Sequence, residues 1–185
     1  GMGGGLTASS SRVNLVNSTF VSNTAATAGG GILAIGAVTV TESSLQSNRS
    51  DGIGGGIAVV GDLTISQTAF TENYAVTGGA AALATGRLLV DDTRFERNVT
   101  PGSGGGVYLG GAGASQVTNS IFDANAATGG GSALYLFDPT DYACRIACEV
   151  KPADHEYGFD ANRRVDHKVQ RQVDPFIVYG IDAAG

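Results

Sequence analysis

The stretch LTISQTAFTENYAVTGGA, Leu63 to Ala80, decides how this chain folds. It opens with apolar residues on alternate positions, Leu63 and Ile65, separated by threonine and serine. It then reaches Phe70, two variable residues and Asn73, and closes on Gly78 and Gly79. Working outward, the Phe/Leu-x-x-Asn step recurs as Phe20/Asn23, Leu45/Asn48, Phe95/Asn98 and Phe122/Asn125. The first four asparagines are 25 residues apart, and the last step, from Asn98 to Asn125, is 27. Glycine blocks follow at Gly29–Gly31, Gly54–Gly56, Gly104–Gly106 and Gly129–Gly131. A fixed period of this size marks a stacked, quasi-one-dimensional architecture.

Five residues before each Phe or Leu stand Leu15, Val40, Ile65, Val90 and Val117, and seven before stand Val13, Val38, Leu63, Leu88 and Ser115. Polar residues fill most positions between them, as expected of short strands with one buried face. A second apolar run follows each glycine block at Ile32–Ile35, Ile57–Val60, Ala80–Ala84 and Val107–Leu109. No stretch before Pro139 carries ten residues of helical periodicity. Two or three strands in 25 residues bury little alone, but stacked at roughly 4.8 Å per coil they share a continuous core. The expected fold is therefore all-β, a parallel β-helix of about five coils, and the preference for right-handed crossovers makes it right-handed. In such a stack each asparagine donates its amide to the next one along, and the Phe/Leu column fills the interior beside that ladder. The two extra residues of the last step fall in Gly110–Ala114, and the span from Gly106 to Gly131 returns to 25, which reads as a compensated register.

The repeat region is expected to occupy residues 1–137, with 138–185 a C-terminal cap or irregular tail. The glycine block Gly3–Gly5 has no Phe-x-x-Asn before it, so the reading is a piece of a longer protein. With a net charge of −6 and eleven Lys and Arg, no basic stripe is available for nucleic acid. No apolar run is long enough to span a bilayer as a helix. The tail holds Cys144 and Cys148, a spacing compatible with a surface disulfide, and His155 and His167. Together these four are a weak zinc candidate against a plain solvated segment. Val173–Ile181 is the tail's best candidate strand.

Phe-x-x-Asn paired with Gly-Gly and a small or aliphatic residue resembles the repeat of polymorphic outer-membrane proteins, the chlamydial-type autotransporter adhesins. Phe20/Asn23, Phe70/Asn73, Phe95/Asn98 and Phe122/Asn125 carry the resemblance, with Gly30-Gly31-Ile32, Gly55-Gly56-Ile57 and Gly105-Gly106-Val107. It implies an extracellular or cell-surface, non-catalytic adhesion module, outer-membrane-associated in its parent protein. Its partner would be a host-cell or matrix protein or a glycan surface.

The rival expectation is a polysaccharide lyase or glycoside hydrolase, which needs clustered carboxylates on an outer face, with Ca²⁺ as a possible aid. The best cluster is Asp91, Asp92, Arg94 and Glu96, with Glu42 and Gln67 at the phase of Asp92. A solvated outer face accounts for the same residues. Asn17, Asn48 and Asn98 head glycosylation sequons, yet a ladder position would turn Asn48 and Asn98 inward.

Overall fold

The computed structural model describes residues 1–9, 12–110 and 115–136, together with the backbone of two later strands, 145–150 and 158–159. Every strand pairing among them is parallel. The first sheet stacks Leu6–Ser9, Ile32–Ile35, Ile57–Val60, Ala81–Thr85, Val107–Leu109, Leu134–Leu136 and Gly158–Phe159. The second stacks Val13–Val16, Val38–Thr41, Leu63–Ser66 and Leu88–Asp91 in one column, and Thr19–Val21, Ser44–Gln46, Ala69–Thr71 and Arg94–Glu96 in another. Gln116–Asp123 runs unbroken through both columns and joins them into one ten-stranded sheet. Short pairs, Thr24–Ala25 on Arg49–Ser50 and Val99–Thr100 on Ala126–Ala127, form the third side, with Tyr74 bridging Arg49 to Val99. After residue 137 the stack continues: Arg145–Val150 pairs with Gln116–Asp123, and Gly158–Phe159 pairs with Leu134–Leu136. The cysteine pair's disulfide, the zinc candidate and the strand at 173–181 lie outside what is described.

The expected columns meet in register. Val40 pairs with Leu15 and Ile65, Ile65 with Val90, and Val90 with Val117. All but Leu15 are buried, as are Leu45, Phe70, Phe95 and Phe122 beside them. Ser115, which breaks the aliphatic column, is buried too, because its hydroxyl accepts the Leu88 N–H at 3.1 Å.

The asparagine ladder closes completely in its interior. The Oδ1 of Asn73 accepts both the backbone N–H and the Nδ2 of Asn48 at 3.0 Å, and the Nδ2 of Asn73 donates to Asn98 Oδ1 at 2.9 Å and to the Leu45 carbonyl at 2.8 Å. Asn48 and Asn98 repeat this arrangement. Both are fully buried, so their sequons point into the core.

The glycine register differs from the sequence reading. Gly106 packs on Ala133, and the left-handed Gly104 stacks on the left-handed Gly131, so the longer spacing carries through the last coil without returning to 25. Real compensation occurs two coils earlier. Ile57 pairs with Ala81, 24 residues on, and a bulge between Leu83 and Thr85 restores the lost residue. The short turn there has only Gly78 and Gly79.

Close packing explains the middle glycines. A Cβ on Gly55 would come within 2.3 Å of the Gly79 carbonyl oxygen and 2.5 Å of that of Tyr74, both backbone atoms of the next coil. Two further columns adopt left-handed backbone without glycine: Asn17, Glu42, Gln67, Asp92 and Asn119, and Ser22, Ser47, Glu72, Arg97 and Ala124. Asparagine and aspartate tolerate that region, whereas glutamine has no such preference. Gln67, at φ 47°, makes no side-chain hydrogen bond among the described residues. Gln67→Gly is therefore expected to stabilise the fold by roughly 0.5–1 kcal/mol, the strain relieved exceeding the entropy that glycine adds to the unfolded chain. Thermal unfolding checks this, and a lower midpoint than wild type would contradict it.

Candidate functional site

The left-handed column at Asn17, Glu42, Gln67, Asp92 and Asn119 forms the corner between the two strand columns of the second sheet. One left-handed residue turns the chain sharply, so the following side chain, Ser43, Thr68, Thr93 or Ser120, swings inward and is buried. Each of these hydroxyls donates to the carbonyl two residues back, at 2.7–2.9 Å: Ser43 to Thr41, Thr68 to Ser66, Thr93 to Asp91 and Ser120 to Thr118. Three of the hydroxyls also accept across coils: Ser43 accepts the Ser18 N–H at 3.0 Å, Thr68 that of Ser43 at 3.3 Å, and Ser120 that of Thr93 at 3.1 Å. This second ladder is satisfied without asparagine.

The bend leaves a groove of about 580 Å³ running along the stack, across all five coils. The left-handed column is one wall. Thr19, Ser44, Ala69, Arg94 and Ile121 form the other, and Ser43, Thr68 and Thr93 line the floor.

The candidate acidic cluster divides across this corner. Asp92, Arg94, Glu42 and Gln67 line the groove together. Asp91 lies outside it, its Oδ1 accepting the Thr118 hydroxyl and the Asn119 amide, both at 2.8 Å. Glu96 belongs to a charge network on the adjoining face. Arg94 donates through Nε to Glu96 at 2.6 Å and through a terminal nitrogen to Asp123 at 3.1 Å, while Arg97 joins Glu96 and reaches Glu72 at 3.2 Å. Arg94 is thus already neutralised. The carboxylates of Glu42 and Asp92 have no hydrogen-bond or ion-pair partner among the described residues, which gives the groove an anionic, polar lining.

Glu42 and Asp92 stand two coils apart, roughly 10 Å at the strand spacing of a sheet. Among the described residues no three of Asp, Glu, His and Cys converge on a point that would hold a metal ion.

The outer face of the first sheet carries a stacked aromatic pair, Tyr108 and Tyr135, at 5.5 Å and 12°. Burial, and then the neighbouring Tyr135, raise the Tyr108 phenol above its ordinary value. Because the folded-state value is raised, the stabilisation is present below the ordinary phenol pKa of about 10 and is lost as pH rises through the folded value. In an alkaline absorbance titration Tyr108→Phe is expected to remove the latest-ionising phenol among the described tyrosines. Loss of an early one instead would contradict this.

The parallel stack, its two polar ladders and its aliphatic columns agree with a family-model match to the right handed beta helix region, covering residues 4–140. This chain belongs to that right-handed β-helix family. No curated protein and no solved structure matches it. Right-handed β-helices suit both binding modules and carbohydrate-active enzymes, so the groove has to carry the functional argument.

The sequence reading grouped Asp91, Asp92, Arg94 and Glu96, with Glu42 and Gln67 at the phase of Asp92; Asp91 and Glu96 lie outside the groove, and the hydroxyl ladder beneath it was missed. Its signal was present: Ser18, Ser43, Thr68 and Thr93 share the 25-residue spacing, and Ser120 follows at 27.

Proposed function

We propose that this β-helix is a non-catalytic binding module whose longitudinal groove holds an extended surface glycan, in an extracellular or cell-surface setting. The observation that carries this reading is the repetition of hydroxyl, amide and carboxylate groups along one groove, at one rung per coil. A polyhydroxyl chain lying along the axis meets a hydrogen-bonding group at each step. The parallel sheets on either side hold those groups rigidly, so little conformational entropy is lost on binding. A matrix protein in the groove would need apolar pockets for alternate side chains, and only Ala69 and Ile121 are apolar there.

Calorimetric titration with neutral, cationic and anionic polysaccharides tests the proposal. Saturable binding to at least one is expected, with Asp92→Ala or Glu42→Ala each weakening it about tenfold, the value of one hydrogen bond to a charged group. Circular dichroism should show both variants folded at the titration temperature, with Asp92→Ala slightly less stable than wild type because alanine lacks aspartate's tolerance of the left-handed backbone. Absence of binding across the panel, or binding indifferent to both substitutions, would overturn it.

A second reading rests on the Glu42 and Asp92 pair. Carboxyl groups about 6.5–9.5 Å apart are the geometry of inverting glycoside hydrolysis, and the flexible Glu42 side chain brings a two-coil separation near that range. On this reading Asp92 works with Glu42 and not with its sequence neighbour Asp91. Release of new reducing ends that Asp92→Asn abolishes would establish the enzyme in place of the binding module.

A further inference from the structure

We infer that the occupant of the groove is an amino-sugar polymer with free amines, its ammonium groups seated on Glu42 and Asp92 at alternate coils. This rests on the groove as a glycan site, proposed above, and adds the charge and the repeat of that glycan.

The wall of the groove alternates. Along the left-handed column the side chains run amide, carboxylate, amide, carboxylate, amide, at Asn17, Glu42, Gln67, Asp92 and Asn119. Backbone conformation does not account for this order. The left-handed region favours glycine, asparagine and aspartate, so neither Glu42 nor Gln67 gains anything from the turn it occupies. What they contribute lies at the outer ends of their side chains, in the groove.

The hydrogen-bonding capacity left over there is chiefly that of acceptors. On the floor, Ser43 and Thr68 each donate to a carbonyl and accept a backbone N–H, and Thr93 donates to the Asp91 carbonyl. In the wall, Asn119 donates to Asp91. Arg94 is the one cation among the described lining residues, and Glu96 and Asp123 already share it. Glu42 and Asp92 have no partner among the described residues, and an ionised carboxylate can only accept. A ligand that completes this surface brings donors and positive charge.

Spacing selects the polymer. Glu42 and Asp92 stand two coils apart, roughly 10 Å. In an extended β-1,4-linked chain successive rings face opposite ways, so amines on one side recur at every second sugar, a repeat of about the same length. Such a chain, lying along the stack, would set one ammonium at Glu42, the next on that side at Asp92, and neutral ring hydroxyls against Gln67. A uronic-acid chain would instead bring carboxylates against carboxylates, which costs affinity. Each exposed ion pair is weak by itself. A polymer that engages two at once multiplies them.

The test is calorimetric titration of the whole chain with a glucosamine oligomer, its amines protonated, against the N-acetylated oligomer and a β-1,4-linked mannuronate oligomer of equal length. The free-amine oligomer is expected to bind about tenfold more tightly than the N-acetylated one, with the mannuronate weakest. Glu42→Gln and Asp92→Asn remove charge but keep size and hydrogen bonding, and each should reduce that preference about threefold. The double variant should abolish it and leave the affinity for the N-acetylated oligomer unchanged. Asp62→Asn, at an exposed carboxylate outside the groove, removes the same unit of charge and should alter nothing. Circular dichroism confirms that each variant is folded. Equal or tighter binding of the N-acetylated or mannuronate oligomer overturns the amino-sugar assignment and leaves the groove standing as a glycan site. A free-amine preference that survives the double variant, or that Asp62→Asn reduces as much, belongs to net charge and overturns the assignment equally. Absence of binding by all three oligomers overturns it too, and the wider polysaccharide panel then decides the groove itself.

Discussion

Asn73→Leu is expected to lower the unfolding free energy by about 3 kcal/mol or more, because four buried groups each lose a hydrogen bond to its side chain, of which Asn48 Nδ2 and Asn98 Oδ1 keep a second one, to the Phe20 carbonyl and from the Asn73 N–H. Those groups are the Asn48 N–H, the Asn48 Nδ2, the Asn98 Oδ1 and the Leu45 carbonyl, all bonded to the Asn73 side chain at 2.8–3.0 Å. Leucine is close in size, so the cavity term is small and the loss is almost wholly one of polar satisfaction. Against a typical domain stability of about 5–15 kcal/mol this is a severe change. Asn23→Leu provides the internal control. It forfeits only the Nδ2 bond to Asn48 Oδ1, which keeps the backbone N–H of residue 23, and among the described residues nothing donates to Asn23 Oδ1 in this half-buried site. Its expected cost is about 1 kcal/mol. Urea denaturation of both variants separates the two. Equal losses at Asn23 and Asn73 would mean that the asparagines act through local turn geometry and not through the ladder.

The fold was legible in the sequence to the extent that its columns are chemically conspicuous. Phe95, Asn98 and the glycine blocks are uncommon residues at a fixed period, and the aliphatic alternation at Leu63 and Ile65 marks the buried face directly. What stayed hidden was set by backbone conformation. Glu42 and Gln67 sit in left-handed backbone, yet nothing in their chemistry signals it. That conformation separates Asp91 from Asp92: neighbours in sequence, one faces a strand surface and is held by Thr118 and Asn119, while the other opens into the groove. Any alternation argument that treats them as a pair fails at this turn. Serine and threonine give no clearer signal, being frequent in turns whatever they bond to. Only the inward swing after each left-handed residue makes Thr68 and Thr93 rungs of a ladder. The glycine register of the last coil misled because glycine identity was matched in place of glycine conformation. Ala133 occupies the position of Gly106, and the residue that truly repeats is the left-handed Gly131.

Phe95→Ala is expected to cost about 3–5 kcal/mol, the range for removing a buried aromatic ring and leaving its cavity. Phe95 is fully buried and sits between Phe70, at 5.1 Å and 14°, and Phe122, at 4.7 Å and 9°. Its removal takes away two stacked contacts, and parallel strands on both sides prevent the coils from closing the gap. Phe95→Leu should cost much less, under about 1.5 kcal/mol if the core repacks around the similar volume. The molecule contains its own precedent, because Leu45 fills the same column one coil below Phe70 and is fully buried. Phe20→Ala should fall well below Phe95→Ala, since Phe20 is already half-exposed at the open first coil. The order Phe95→Ala, Phe20→Ala, Phe95→Leu in chemical denaturation tests whether stability is carried by the continuous aromatic column. If Phe20→Ala costs as much as Phe95→Ala, the loss does not follow burial in the aromatic column, and that account of the stability fails.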